Sequence, residues 1–331
     1  MQAMVFDGLS STLHNREVPD PVVGSGQLLI KVHVCGVCRT DLHVVDGDLR
    51  EPKLPLIPGR EIVGSVLAAG EGATEFAVGD RVGVTWLGLT CGHCQFCLDG
   101  RENLCDTAKF TGYTMDGGYA EKVVAYSRYC VHVPVRYSDD QGASLLCDGA
   151  VGYRALEAIG DAKNIGVYGF DVAADIVLQL AVARGKTVFA FTRKDDERAQ
   201  VVAKQFGAKW AGGSDETPPI KLDAVLIFAP VGALIPVALQ ALKKGGVVVC
   251  CGVHMSEIPA FSYDRLWGER RIVSVANFTR DDAHKFMRMA DEIPLQIRVV
   301  GYPLADANRA LSNLREGVIS GAVVLRMGEG R

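Results

Sequence analysis

Between residues 163 and 253, short apolar runs alternate with stretches whose apolar residues recur at helical spacing. The runs at 164–168, 187–191, 223–228 and 247–251 read as buried strands, and 173–184, 195–206 and 234–242 as helices. Ile176, Val177 and Leu180 share one face of the first helix, and glycines at 185, 207 and 245–246 mark helix ends. Strands alternating with helices predict an α/β architecture with a parallel, doubly wound sheet.

Residues 1–147 have a different rhythm. β-Branched segments at 27–34 and 62–68 are separated by Pro19, Pro21, Gly24, Pro52, Pro55, Pro58 and Gly59, the punctuation of a β-rich domain. Ser138 and Gln141 form a capping box and predict a helix start. From residue 281 the pattern is mixed again and suits a return to the first domain. The expected division is therefore 1–147 completed by 281–331, with 148–280 as the doubly wound part. No internal repeat or low-complexity tract interrupts it.

The chain has 331 residues, enough for about two domains. Its formal net charge of -4 offers no basic stripe for nucleic acid. The start, Met-Gln-Ala-Met-Val-Phe-Asp, lacks a basic segment followed by an apolar run, so no secretory signal is expected. The longest uncharged stretch, 224–240, is broken by Pro230, Gly232 and Pro236 and is too interrupted to span a membrane. The expectation is a cytoplasmic protein with a small-molecule substrate and neither nucleic acid nor membrane as partner. In that compartment thiols stay reduced, which changes how the ten cysteines are read.

Cys91, Cys94, Cys97 and Cys105 follow the spacing Cys-x2-Cys-x2-Cys-x7-Cys. Four thiolates on one loop predict a closed tetrahedral site for one structural zinc per chain. Gly92, Gly100, Gln95, Asp99 and Arg101 suit a surface loop around a metal. An iron–sulfur cluster is the runner-up.

Five motifs appear in order: Gly36-Val-Cys-Arg-Thr-Asp-Leu-His43, Gly59-x-Glu-x-x-Gly64, the cysteine lobe, Asp116-Gly-Gly-Tyr-Ala-Glu121 and Leu145-Leu-Cys147. Together they resemble the zinc-dependent alcohol dehydrogenases of the medium-chain dehydrogenase/reductase superfamily, over essentially the whole chain. The resemblance implies a GroES-like catalytic domain, a Rossmann domain, a catalytic zinc in the cleft between them, and a homodimer or homotetramer. It matches Cys38 and Cys147 to two zinc ligands, Thr40 and His43 to a proton relay, and Glu61 to a glutamate near the metal. Asp41 matches the carboxylate that orients the ligand histidine.

Three departures fall on the chemical centres. Where the family has Gly-His-Glu, this chain has Gly59-Arg60-Glu61, and a guanidinium has no lone pair to give a metal. The expectation is that no catalytic zinc binds, because three protein ligands are the usual minimum. Asp148 stands where the family has alanine, and Asp148 and Asp41 are both candidates to pair with Arg60. The phosphate loop reads Gly169-Phe-Asp171-Val-Ala-Ala174, without its middle glycine. Asp171 there would repel a pyrophosphate by about 4 kcal/mol at ~4 Å in a dielectric of ~20, less where solvent screens; alternatively its side chain turns away. After the second strand come Thr192 and Arg193 rather than an acid, which suits the 2′-phosphate of NADP(H) or is an ordinary polar helix start.

Three functions fit these residues. The first is an NADP(H)-preferring oxidoreductase acting on an aldehyde or primary alcohol, with weak cofactor binding and no catalytic zinc. The second is a repurposed zinc-independent or non-redox enzyme using Arg60. The third is a catalytically silent homologue kept for binding. Cys35, Cys130, Cys250 and Cys251 read as packing, and Trp86 and Tyr113 as cleft lining or packing.

Overall fold

The computed structural model describes residues 1–328. The chain forms two compact units. One is Met1–Cys147 with Thr279–Glu292 and the chain from Ile297 onward; the other is Asp148–Phe278 with Ile293–Gln296.

The first unit is built on the long strand Gln27–Val37, whose alternating Leu28, Ile30, Val32 and Val34 point into the core. It pairs antiparallel with Glu61–Ala69, Lys122–Tyr126 and Ala322–Arg326. The sheet runs Val299–Pro303, Ala322–Arg326, Gln27–Val37, Glu61–Ala69, Arg81–Val84, Cys130–Val131. Met4, Phe6, Leu56, Ile62, Tyr119 and Leu325 fill the space beneath it. The Ser138–Gln141 capping box opens the helix Asp139–Ser144, and a single π-helical turn, Leu145–Gly149, follows and carries Cys147.

One turn of this unit positions the chemistry. Gly59 has φ +95°, and a Cβ there would meet Cys35 Sγ at 2.7 Å, so only glycine fits. The neighbouring segment clamps it: Gly117 N donates to Ile57 O (2.7 Å), Tyr119 N to Pro58 O (2.9 Å) and Gly118 N to Gly59 O (3.0 Å). Arg60 is thereby delivered at the start of the strand Glu61–Ala69.

The second unit is a six-stranded parallel sheet: β1 Asn164–Tyr168, β2 Thr187–Thr192, β3 Trp210–Gly213, β4 Leu222–Ile227, β5 Leu242–Cys250 and β6 Arg271–Ser274. The order is β3-β2-β1-β4-β5-β6, the doubly wound arrangement. Helices α1 Val172–Ala183, α2 Glu197–Gln205 and α3 Leu234–Ala241 connect the strands. Central strands are buried on both faces, as Ile165, Val167, Val225, Leu226 and Val248 show, and this produces their continuous apolar runs. The edge strands β3 and β6 carry no such run: Gly212 and Gly213 weaken one, and Arg271 and Ser274 at the ends of the other are exposed. The expected α/β fold, with a doubly wound parallel sheet and a β-rich domain, is the one observed. Among the described residues no helix is long and apolar enough to cross a membrane.

A Cβ on Gly117 would lie 1.9 Å from Gly59 O. Gly117→Ala should therefore destabilise the protein by about 2–3 kcal/mol, an overpacking penalty against backbone that cannot rotate aside. Urea denaturation checks this, and an unchanged midpoint would show that the clamp is loose.

Candidate active site

Cys38 precedes the short helix Arg39–Val45, and Asp41 sits in its first turn. Asp41 Oδ2 accepts from the backbone N–H of Cys38 at 2.9 Å, closing the N-terminal cap. Its other oxygen, Oδ1, accepts from Arg60 Nη2 at 2.7 Å. Both side chains of this ion pair are 0% exposed. Arg60 is also the bulkiest fully buried side chain of the described residues, and its Cζ stands 5.2 Å from the centroid of the Trp86 ring. Nε and Nη1 of Arg60 have no hydrogen-bond partner.

The charge state of Arg60 follows from its neighbours. Burial works against the cation, but Asp41 overrides it by Coulomb attraction and hydrogen bonding, so the guanidinium is held more firmly protonated than a free arginine. Cys38 shares a hydrogen bond with the thiol of Cys147; that bond, then burial, then the Asp41 charge push the Cys38 thiol well up, with Arg60 opposing. Glu61 is buried beside them, in space that Gly36 leaves open: a Cβ on Gly36 would lie 2.0 Å from Glu61 Oε2.

This donor set does not fit a divalent metal. The third ligand position holds Arg60, a fixed cation with no lone pair to give a metal. Asp41, rather than Asp148, is the carboxylate that receives Arg60. Asp148 lies half-buried in the π-helical turn. Thr40 is buried on the helix Arg39–Val45, and His43 on the same helix holds Asp48 through Nδ1 at 2.8 Å.

The cysteine lobe is different. The Sγ atoms of Cys91, Cys94, Cys97 and Cys105 all lie within 4.8 Å of one another, and theirs is the one group of metal-type ligands found among the described residues. Tetrahedral Zn–S bonds of about 2.3 Å require sulfurs a little under 4 Å apart, and Cys91 and Cys97 are 3.9 Å apart. Gly92 and Gly100, at φ +76° and +70°, turn the loop around this point. Burial opposes ionisation of Cys105, but backbone N–H and Thr107 hydrogen bonds bring it down to about 6. Cys94 shifts the other way: the backbone N–H of Cys97 lowers it, but burial and hydrogen bonds with the neighbouring thiols outweigh that and push it up to about 11.

In the second unit, Asp171 caps α1: its Oδ1 accepts from Ala174 N at 3.3 Å. Its carboxylate therefore occupies an N–H that a phosphate would use. Gly169 keeps the left-handed turn (φ +83°), with Ala229 too close for any side chain. Thr192 lies at the end of β2. It is 2% exposed, its hydroxyl donates to Arg193 O at 2.9 Å and accepts from Gln200 Nε2 at 3.2 Å. Arg193 is exposed after β2, followed by Lys194, which faces Asp215.

Sequence reasoning gave no role to the contact of Trp86 with Arg60 or to Tyr119 packed on Gly59; only the fold brings them there.

Residues 24–135 match the alcohol dehydrogenase GroES-like domain. The chain is 44% identical over 316 residues to the probable alcohol dehydrogenase AdhA of Mycobacterium tuberculosis, covering 93% of this chain and 90% of that protein. It is 34% identical over 338 residues to an alcohol dehydrogenase of Geobacillus stearothermophilus, covering 99% and 100%. The cobalt- and zinc-bound thermostable alcohol dehydrogenase of Pyrobaculum aerophilum superposes with a TM-score of 0.89 at 27% identity, covering 98% of this chain and 99% of that one. Fold and relatives together define an oxidoreductase of the alcohol dehydrogenase type. The chain belongs to the zinc-type alcohol dehydrogenase family of the medium-chain dehydrogenase/reductase superfamily.

Breaking a buried ion pair from one side leaves an uncompensated charge. Asp41→Asn should cost about 3–5 kcal/mol, while Asp41→Asn with Arg60→Met should cost clearly less than the two single changes added together. Denaturation of the three variants checks this; strict additivity would mean that the pair is not coupled.

Proposed function

We propose that this chain is an alcohol dehydrogenase-like oxidoreductase in which the Arg60–Asp41 pair replaces the catalytic zinc, acting on an aldehyde or primary alcohol with NADP(H). The observation that carries this reading is the buried guanidinium with one N–H on Asp41 and with Nε and Nη1 unmet. A carbonyl oxygen that gains negative charge on reduction is stabilised by fixed donors in a dry site. Arg60 is such a donor, remains protonated throughout, and supplies charge without a metal. Thr40 and His43 carry the proton between the substrate oxygen and solvent, with Asp48 fixing the His43 ring. Asp41 orients the guanidinium and holds Cys38 in place.

NADP(H), when bound, supplies or accepts the hydride. The Gly169 turn accommodates its approach, and exposed Arg193 favours a 2′-phosphate. Asp171 weakens the hold on the pyrophosphate, because its own carboxylate already caps α1. The structural zinc belongs to the Cys91, Cys94, Cys97 and Cys105 lobe, one ion per chain. Assembly as a homodimer or homotetramer and a cytoplasmic location are proposed on the family resemblance.

Kinetics of the wild type, Arg60→Ala, Arg60→His and Arg60→His with Asp171→Gly, assayed on aldehydes with NADPH, test the reading. The wild type should turn over, and Arg60→Ala should lose about 10²–10³ in kcat, the scale of one lost transition-state donor. Arg60→His should raise the zinc content above one per chain but only part of the way to two, because Asp148 remains. Asp171→Gly should tighten NADPH binding independently, by roughly tenfold, as expected for distant sites. A wild type already holding two zincs would overturn the substitution of metal by arginine. A wild type with no turnover on any aldehyde would make the chain a binding homologue.

A further inference from the structure

A second cluster of reactive side chains lies in the first unit, apart from Arg60. Ser65 is on the same strand as Glu61, roughly 13 Å further along it. Its Oγ is 3.1 Å from His33 Nε2, and His33 Nδ1 is 2.8 Å from Asp139 Oδ2. The three residues come from the strand Glu61–Ala69, the strand Gln27–Val37 and the first turn of the helix Asp139–Ser144. Ser65 is half-buried, and the side chains of His33 and Asp139 are 34% and 32% exposed, so a solute can reach them.

The proton order along this line follows from the groups themselves. The hydrogen bond from His33 holds Asp139 below the usual carboxylate range; burial opposes it and Arg81 assists. An ionised carboxylate only accepts, so His33 Nδ1 donates to it. In the neutral ring Nε2 is then the acceptor, and the hydroxyl of Ser65 donates. That is the arrangement of a serine nucleophile, a general base and a carboxylate that fixes the base's tautomer.

The scaffold holds each member. The pairing of Gln27–Val37 with Glu61–Ala69 slips between Val32 and Val34, which makes His33 the extra residue of a bulge. A bulge re-aims a side chain. Arg81 Nε donates to Asp139 Oδ1 at 2.7 Å, while Nη1 and Nη2 hold Pro134 O at 3.2 Å and Tyr137 O at 3.0 Å. Lys31 and Arg81 stand directly opposite Ser65 on its two neighbouring strands. Arg81 is committed to Asp139; Lys31 is exposed and brings a cation beside the place where an oxyanion would form.

We propose that Ser65, His33 and Asp139 form an acyl-transfer site that hydrolyses activated carboxylic esters. Ser65 Oγ bonds to the ester carbonyl carbon as its proton passes to His33 Nε2. The bond from that carbon to the alcohol oxygen breaks, and His33 returns the proton to the departing alcohol. Water then attacks acyl-Ser65 by the same proton route, releasing the carboxylic acid and restoring the serine. Lys31 is one flexible donor, weaker than fixed backbone N–H groups, so the ester needs a good leaving group.

The full chain is tested with p-nitrophenyl acetate and with a fluorophosphonate, which a nucleophilic serine attacks with loss of fluoride. The wild type should release p-nitrophenol and carry the phosphonyl mass on the peptide that contains Ser65. Ser65→Ala should abolish both. His33→Gln should slow hydrolysis about 10²–10⁴-fold, the scale of one general base, with an unchanged unfolding midpoint. Should His33→Gln fold poorly, the label on the wild type decides. A label absent from Ser65, or hydrolysis that Ser65→Ala retains, overturns the proposal, and the network then only fastens the helix Asp139–Ser144 to the sheet. The assay needs no NADP(H), so its result is independent of the oxidoreductase reading.

Discussion

The Asp41 carboxylate holds two parts of the first unit together, the Arg60 guanidinium through one oxygen and the Cys38 backbone N–H through the other. A carboxylate and a guanidinium that are both fully buried are tolerable only as a pair, since either alone would carry a desolvation penalty of several kcal/mol. The pair therefore constrains everything around it. The Gly59 turn must deliver Arg60 at one height, the Gly117–Tyr119 segment must clamp that turn, and Trp86 must lay its ring beside the cation. The side chains of Cys38, Cys147 and Glu61 then pack around a charge that is already balanced.

A parallel holds in the second unit. A helix N-terminus has unmet N–H groups that an anion can satisfy, and in α1 the side chain of Asp171 does so from within the chain. In each unit, then, a charge that a ligand could supply is supplied by a residue: a cation by Arg60, an anion by Asp171. The two differ in strength. A helix cap contributes about 1 kcal/mol and can be displaced, whereas a buried ion pair resists removal of either partner by about 3–5 kcal/mol. On the proposed reading, cofactor binding is weakened but the exchange of metal for arginine is complete.

Much of this was legible in the sequence. The central strands of the doubly wound sheet stand out because burial on both faces demands continuous apolar runs, and the Ser138–Gln141 box marks its helix because capping is local. The cysteine lobe is legible because thiolate spacing alone determines whether four sulfurs can converge. Strands β3 and β6 were not foreseen, since an edge strand needs no apolar run. Arg60 could be identified as a foreign residue at a ligand position, but the choice between Asp41 and Asp148 as its partner depends on tertiary distance. Thr192 shows the opposite limit. Its type and place suit a phosphate, and only the fold shows that its hydroxyl donates to Arg193 O.

The central claim is that the guanidinium of Arg60 takes the place of a catalytic metal while the cysteine lobe retains its own. Zinc-edge X-ray absorption on the purified protein tests it most directly, because it reports which atoms surround the metal. The account predicts a shell of four sulfurs at about 2.3 Å, with no nitrogen or oxygen neighbour. A mixed shell, with nitrogen or oxygen at about 2.0–2.2 Å beside fewer sulfurs on average, would place zinc at a second site and contradict it.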